Sequence, residues 1–164
     1  MSSAKKLLIG SGLALAIWGM AYGFFYAVSI EHQTLEKIGS SLARGFTFAA
    51  ERKLPEARAA LDEFADASYV YVRQVDAHGH WIGLSMLLIV FGTVFHRVGF
   101  GARARLWLAC GLVAGAAIFP LGVLLETFDG GWGPKFITAA GSAVITLALG
   151  GIAAGFARER RSEL

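Results

Sequence analysis

Two histidines separated by one glycine stand where a long apolar segment begins, in the stretch DAHGHWIG at residues 76–83. His78 and His80 are two of only four histidines in the chain, and a third, His32, closely follows another apolar segment. Two imidazoles that face each other across neighbouring helices can hold a haem iron as axial ligands. Imidazole is also a common ligand of copper and zinc. These histidines therefore predict one of two kinds of site: a haem site or a metal-ion site.

The elements that must position these histidines are membrane spans. Hydrophobic residues make up 55% of the 164 residues and charged residues only 16%, whereas charged residues are about 25% of a typical soluble domain. Crossing a bilayer takes about 20 apolar residues, and four runs are long enough: Leu7–Ile30, His80–Phe100, Leu106–Phe128 and Phe136–Phe156. The composition predicts an all-α fold, a four-helix transmembrane bundle forming one integral membrane domain over residues 1–164.

Basic residues predict how this bundle is oriented. In a four-span arrangement, one side carries eight basic and two acidic residues, a net charge of +6, and the other carries seven basic and ten acidic residues, a net charge of −3. Loops rich in lysine and arginine stay on the cytoplasmic side. We therefore expect both termini in the cytoplasm and residues 31–77 outside, which for a bacterial inner membrane means the periplasm.

The segment at residues 31–77 has the pattern of a helical hairpin. Apolar residues recur at alternating spacings of three and four, as they do where two helices pack along a heptad seam, and Pro55 suits the first turn of a new helix. The predicted seam residues are Leu35, Ile38, Leu42, Phe46 and Ala49 in the first helix and Ala57, Leu61, Phe64, Ser68, Tyr71 and Val75 in the second. We expect an outer hairpin whose two helices extend the first two spans.

This hairpin determines where the histidines point. Continued past Val75, the seam meets His78, which should face the first helix, and a fold at residues 53–54 brings His32 to within about three residues of the same level. His80 lies about 200° further round the helix. It should face the third or fourth span, where Glu126 could accept a hydrogen bond from its imidazole.

A copper or zinc site is a separate prediction from the same residues. Asp76, His78 and His80 offer oxygen and nitrogen ligands, and His32 and Glu126 are expected on the same side of the membrane, together with Glu31 and Asp129. Alternate residues diverge on a regular helix, so a site shared by both histidines would need the backbone to unwind at Gly79. Alternatively, the histidines and the adjacent tryptophan are residues of the membrane interface with no ligand.

The stretch HGHWIGLSMLLIVFG, residues 78–92, resembles the His-x-His segment in the catalytic subunit of haem–copper oxidases, especially the nitric oxide reductase branch. In that family one histidine of the pair ligates a high-spin haem and the other a low-spin haem, so the resemblance implies a haem-ligand role for His78 and His80. The chain is too short for the family's twelve-helix core and lacks its further histidine ligands. The resemblance therefore implies a reduced, haem-binding relative without the complete catalytic site.

Several other chemistries have no support in the sequence. It contains no phosphate-binding glycine loop, nucleophile elbow, Cys-x-x-Cys-His haem attachment or zinc-protease helix motif. No charged residue lies within the spans away from their ends, which disfavours proton-coupled transport. The basic residues lie beside the spans, so no nucleic-acid partner is expected, and no motif identifies a catalysed reaction.

Three hypotheses follow from the sequence. The first is a small membrane cytochrome b that transfers electrons at the outer face, with haem b held by His32 and His78 or with His80 replacing either. The second is a structural or assembly subunit of a larger membrane complex, in contact with lipid and with a protein partner through the outer hairpin, or oligomerising through small-residue helix faces. The third is an outer-face copper or zinc site built from His32, His78, His80 and Glu126.

Overall fold

The chain folds into five α-helices, described over residues 2–162 in a computed structural model. In chain order they are α1 (Ser3–Ser29), α2 (Glu31–Ala50), α3 (Leu54–Val94), α4 (Ala102–Leu125) and α5 (Trp132–Ser162). A short 3-10 turn at Phe95–Arg97 follows α3. No strand occurs among residues 2–162, so the predicted all-α class is confirmed.

Four of the helices are long and apolar enough to cross a membrane: α1, α3, α4 and α5. They coincide with the four predicted spans, because uninterrupted apolar sequence at these lengths has no other favourable solvent. Helix α3 has 41 residues, which corresponds to about 60 Å at 1.5 Å per residue. A hydrocarbon core is only about 30 Å thick, so about half of α3 must extend beyond it.

The N-terminal half of α3 pairs with α2 to form a helical hairpin. Helix α2 follows α1 after a single non-helical residue, Ile30, whose φ of −128° departs from helical geometry. The hairpin turn contains Arg52 in the left-handed region at φ 59°, and Pro55 lies in the first turn of α3 as predicted. The expected continuity of span and hairpin arm is confirmed for α3, whereas Ile30 separates α1 from α2.

The seam between α2 and α3 differs from the predicted one on both helices. On the hairpin part of α3 the buried residues are Ala57, Ala60, Ala67 and Gln74, whereas Leu61 and Val75, both expected in the seam, are 46% and 42% exposed. The buried residues of α2 are Ser41 and Gly45, whereas Leu35 and Phe46, both expected in the seam, are 46% and 70% exposed. The reason is steric: Leu61 of α3 packs directly over Gly45, where a Cβ would lie 3.2 Å from the nearest Leu61 side-chain atom. Small residues let the two helices approach closely, and the large ones are left on the flank.

The spanning helices share one apolar core at the end opposite the hairpin. In this core α1 packs mainly against α3, and α4 packs against α5. The fully buried large side chains are Leu8, Leu88, Phe95, Leu112 and Ile152. Gly115 shows how close the second pair lies, because a Cβ there would be 3.0 Å from the Gly141 carbonyl oxygen of α5. The bundle is therefore two tightly packed helix pairs joined through α3 and α4.

Candidate functional site

His78 faces α1, as the hairpin pattern predicted. Its Nδ1 atom lies 2.9 Å from the Gly19 carbonyl oxygen, and its imidazole occupies the space above Gly23, where any Cβ would collide with the ring. Because Nδ1 is turned toward a backbone carbonyl, Nε2 is the ring atom left to meet a ligand. Metal-bound histidines are typically oriented in this way.

The space beside His78 is a small pocket of about 260 Å³ between α1, α2 and α3. Glu31, Tyr71 and Val75 line it together with His78, and the Tyr71 hydroxyl donates a hydrogen bond of 3.3 Å to Glu31. His32 follows Glu31 on α2, and its side chain is exposed. The structure therefore brings Glu31 to the His78 pocket, and His32 is not among the residues that line it.

His80 points away from His78 and toward α4. Its Nδ1 atom lies 2.6 Å from the Asp76 carbonyl oxygen on its own helix, and its ring meets Phe119 edge-on, with 4.8 Å between the ring centroids. Helix α3 continues through Gly79 without a break. The prediction that the two imidazoles diverge is therefore confirmed.

Glu126 has partners that the sequence did not reveal. The carboxylate is 7% exposed and accepts hydrogen bonds of 3.0 Å from the Tyr69 hydroxyl and 2.8 Å from the Thr138 hydroxyl. Arg73 Nε lies 3.5 Å from the same carboxylate, and the contact with Tyr69, together with Glu126, raises the pKa of Arg73 against the opposing effect of burial. Instead of pairing with His80, as expected, Glu126 joins α3 to α4 and α5.

A second chain of hydrogen bonds runs beside Glu126 at the same level. The Tyr22 hydroxyl of α1 donates to the side-chain oxygen of Gln74. Gln74 in turn donates through Nε2 to the Thr127 hydroxyl at 3.3 Å. We call the two chains together the polar layer; its members are Tyr22, Tyr69, Arg73, Gln74, Glu126, Thr127 and Thr138. Their mutual hydrogen bonds connect every spanning helix at the hairpin end of the bundle, which suits a structural clamp better than a reactive centre.

The residues of the polar layer were missed because the contacts join distant parts of the chain. Tyr69 and Glu126 are 57 positions apart and Tyr22 and Gln74 are 52 apart. A tyrosine or glutamine near the end of an apolar run is also common at a membrane interface. The only signal available was Glu126 itself, an acidic residue directly after an apolar run.

Metal ligands do not gather anywhere in the described part of the chain. Over residues 2–162, no three histidine, cysteine, aspartate or glutamate side chains lie close enough together to hold one ion. Cys110 is exposed on α4. The copper or zinc site therefore stays a prediction that the geometry of these residues does not favour.

One flank of the hairpin is apolar although it lies beyond the spans. Lys37 and Arg44 of α2 pair with Glu63 of α3 on one flank. Residues two positions away on a helix are turned by about 200°, so Leu35, Phe46 and Leu61 lie on the opposite flank. We call this surface the apolar flank; its large side chains, between 42% and 70% exposed, are Leu35 and Phe46 on α2 and Leu54, Leu61, Val72 and Val75 on α3.

Comparison with protein-family models, with curated protein sequences and with solved structures finds no match to this chain.

Proposed function

We propose that this chain is a non-catalytic subunit of a larger membrane assembly, and that its hairpin docks a protein partner through the apolar flank. The observation that carries this proposal is the exposure of six large apolar side chains on a part of the fold that water must solvate. Helix α2 contains four charged residues among its 20, which makes burial in hydrocarbon unfavourable. Exposed apolar patches of this kind are typical of interaction sites.

The way the hairpin is held also supports docking. Arg73 and Gln74, both on α3 just below the hairpin, are tied to the ends of α4 and α1 by the polar layer. A docking surface that is already fixed loses little conformational entropy when a partner binds. The polar layer therefore stabilises the apolar flank in a defined orientation.

We further propose that the hairpin is periplasmic and both termini are cytoplasmic in a bacterial inner membrane. Support comes from the charge balance, which is a net +6 at the end of the bundle opposite the hairpin, where the basic residues lie close to the spans, and a net −3 at the hairpin end. A cysteine at Glu51, in a background with Cys110 replaced by alanine, should react with an impermeant maleimide in intact cells. A cysteine at Ser162 should not react, and the reverse pattern would place the hairpin in the cytoplasm.

Site-specific photocrosslinking in native membranes tests the docking proposal. A photoreactive amino acid at Phe46 should give a protein adduct, and the same residue at Arg44 should give none, because the two positions face opposite flanks of one helix. Leu61 and Glu63 provide a second matched pair on α3. If neither Phe46 nor Leu61 yields an adduct, the apolar flank is not a docking surface.

The haem b hypothesis remains a second candidate, with one observation for it and one against it. The orientation of His78 leaves Nε2 available for an axial bond. The adjoining pocket of about 260 Å³ is slightly smaller than the roughly 300–1,000 Å³ of ordinary ligand sites. Protein made in a haem-sufficient host and purified should show a Soret band that shifts with dithionite if haem is bound. Metal analysis of the same sample tests for copper or zinc.

If haem is bound, the two histidines should contribute unequally. His78→Ala should remove the low-spin spectrum, and His80→Ala should leave it in place while changing the packing against Phe119. Loss of the haem in His80→Ala alone would assign the axial bond to His80 and contradict the role predicted for His78.

A further inference from the structure

We infer that the partner on the apolar flank is a second copy of this chain, so that two hairpins pack into a four-helix bundle outside the spans. This inference rests on the proposed docking function and names its occupant. The other possible occupant is a different membrane protein with an apolar helical face of its own.

The flank residues are spaced as they are on helices that pack against two neighbouring helices at once. On α2 the flank positions are 35, 39, 42 and 46, in steps of four, three and four, and on α3 they are 54, 61, 65, 68, 72 and 75. The α3 series also alternates steps of three and four, with Arg58 at the position between Leu54 and Leu61. Gly39, Leu42, Ala65 and Ser68 fill the positions between the large side chains. This is the heptad repeat that packs knobs into holes between helices. Each hairpin helix therefore carries one seam toward its own partner helix and a second seam that is open.

The flank carries little charge, as a self-interface requires. Its one charged position is Arg58, near the hairpin tip, and the other ten positions are uncharged, whereas the opposite flank holds the ion pairs of Glu63 with Lys37 and Arg44. In a two-fold dimer the same surface occurs on both sides of the interface. Any net charge on it would therefore face a like charge, and like charges across an interface cost several kcal/mol.

The levels of the flank residues match under two-fold symmetry at the hairpin tip. Within one hairpin Gly45 meets Leu61 and Glu31 meets Tyr71, so Phe46 lies near the height of Leu61, and Leu35 near the height of Ser68. A two-fold axis parallel to the hairpin places α2 of one copy against α3 of the other without changing these heights. Phe46 of one copy then meets Leu61 of the other near the tip, and Leu35 meets the small side chain of Ser68 nearer the base.

The size of the flank is close to what a stable dimer needs. Two helices side by side are about 20 Å wide, and residues 54–75 of α3 cover about 30 Å. The footprint is therefore about 600 Å², compared with about 800 Å² per partner in a standard interface. The remainder is available at the C-terminal end of α1, where exposed apolar residues lie below Leu35: Met20, Phe24 and Val28, between 63% and 73% exposed. A second copy, anchored in the same orientation, can cover both parts at once.

Native mass spectrometry of the full chain, released from detergent, gives the number of copies in the complex and tests this inference. We expect two copies for the unmodified chain and one for the double variant Phe46→Glu with Leu61→Glu. The dimer Kd should rise about 100-fold or more, because the two introduced glutamates carry like charges that face each other across the two-fold axis. The original Phe46 and Leu61 side chains are uncharged. The matched control is Arg44→Glu with Glu63→Arg, which places two changes on the opposite flank and should remain dimeric. Circular dichroism of each variant checks that the helices are retained.

The outcomes separate the inference from the function on which it rests. A monomeric unmodified chain, or a double variant that stays dimeric, overturns the second copy as occupant. If photocrosslinking at Phe46 then captures a different protein, the docking function stands and only the inference fails. If Phe46 captures nothing at all, both fail.

Discussion

Ile17 in α1 and Phe46 in α2 have nearly the same exposed fraction, 71% and 70%, but they lie in regions with opposite requirements. From Leu7 to Ser29 the chain has no charged residue, whereas α2 has four. Lipid solvates an apolar side chain as well as another helix does, so Ile17 needs no partner. Phe46 lies among charged residues and lowers its free energy only by leaving water. Under the proposed function, the same exposure corresponds to lipid contact in the spans and to a docking surface on the hairpin.

The two regions also differ in what holds their helices together. The spanning helices pack through an apolar core and through close glycine contacts, such as that of Gly115 of α4 with the backbone of α5. The hairpin has a thin seam of small residues, including Ser41 and Gly45, and surface ion pairs, which each contribute at most about 1 kcal/mol. The polar layer lies between these regions and connects them. The experiments below change one region, the other or the layer between them.

The largest expected effect is at Glu126, which joins the two regions. Glu126→Ala leaves Arg73 without its buried carboxylate and removes the acceptor for Tyr69 and Thr138. Each hydrogen bond to a carboxylate contributes about 1–3 kcal/mol, so the loss of two of them together with the Arg73 contact should appear in a thermal unfolding curve in detergent as a large fall in Tm. Thr138→Val, which removes only one hydrogen bond to the same carboxylate, should cost about 1 kcal/mol. Equal effects of the two variants would mean that the ion pair with Arg73 does not contribute.

The second prediction tests whether Ile17 contacts lipid while Phe46 contacts water. Ile17→Asp should disfavour membrane insertion by about 3 kcal/mol, because a carboxylate near the middle of a span is costly. Phe46→Asp should leave insertion unchanged, although the two side chains are equally exposed. Quantitative membrane fractionation of the two variants measures this difference. Similar insertion of both would contradict the assignment of α1 to lipid and α2 to water.

A smaller effect is expected from close packing within the spans. Gly115→Leu forces a side chain against the backbone of α5, and overpacking of this kind typically costs about 1–3 kcal/mol. The matched control is Gly150→Leu, where the space around the new Cβ is open and little change is expected. Thermal unfolding of both variants in the same detergent makes the comparison, and equal melting temperatures would show that α4 and α5 are loosely packed.

The smallest effect is at the hairpin turn and has the opposite sign. Arg52 adopts φ 59°, which glycine adopts without the steric cost borne by an L-residue. Arg52→Gly should therefore stabilise the hairpin by up to about 1 kcal/mol. Hydrogen exchange of the amides of α2 would detect this as slower local opening. Faster exchange would show that the flexibility glycine adds to the unfolded chain outweighs the relief of strain.

The sequence was most informative wherever one local property determines the outcome. Span positions follow from apolar length, and the divergence of His78 and His80 follows from helical periodicity once α3 is regular. The predicted seam was wrong on both helices because large residues were favoured over small ones, although close helix approach depends on small residues. The buried small residues are Ser41 and Gly45 on α2 and Ala60 and Ala67 on α3. The contacts of Glu126 could not be predicted, because they depend on how α3, α4 and α5 are placed relative to one another. The pairing of His32 with His78 needed the same long-range information and stays a prediction.

Helix α3 is the single stiff element common to both regions, since its 41 residues run without a break from Leu54 at the hairpin turn to Val94 at the far end of the bundle. A continuous ladder of backbone hydrogen bonds transmits twist and axial load along its whole length of about 60 Å. Helix α2 follows its own span after Ile30, where the backbone leaves helical geometry although the Ile30 amide still donates to the Tyr26 carbonyl oxygen. Force applied at the hairpin tip is therefore transmitted to the spans mainly through α3. The hairpin is expected to bend at the junction at Ile30.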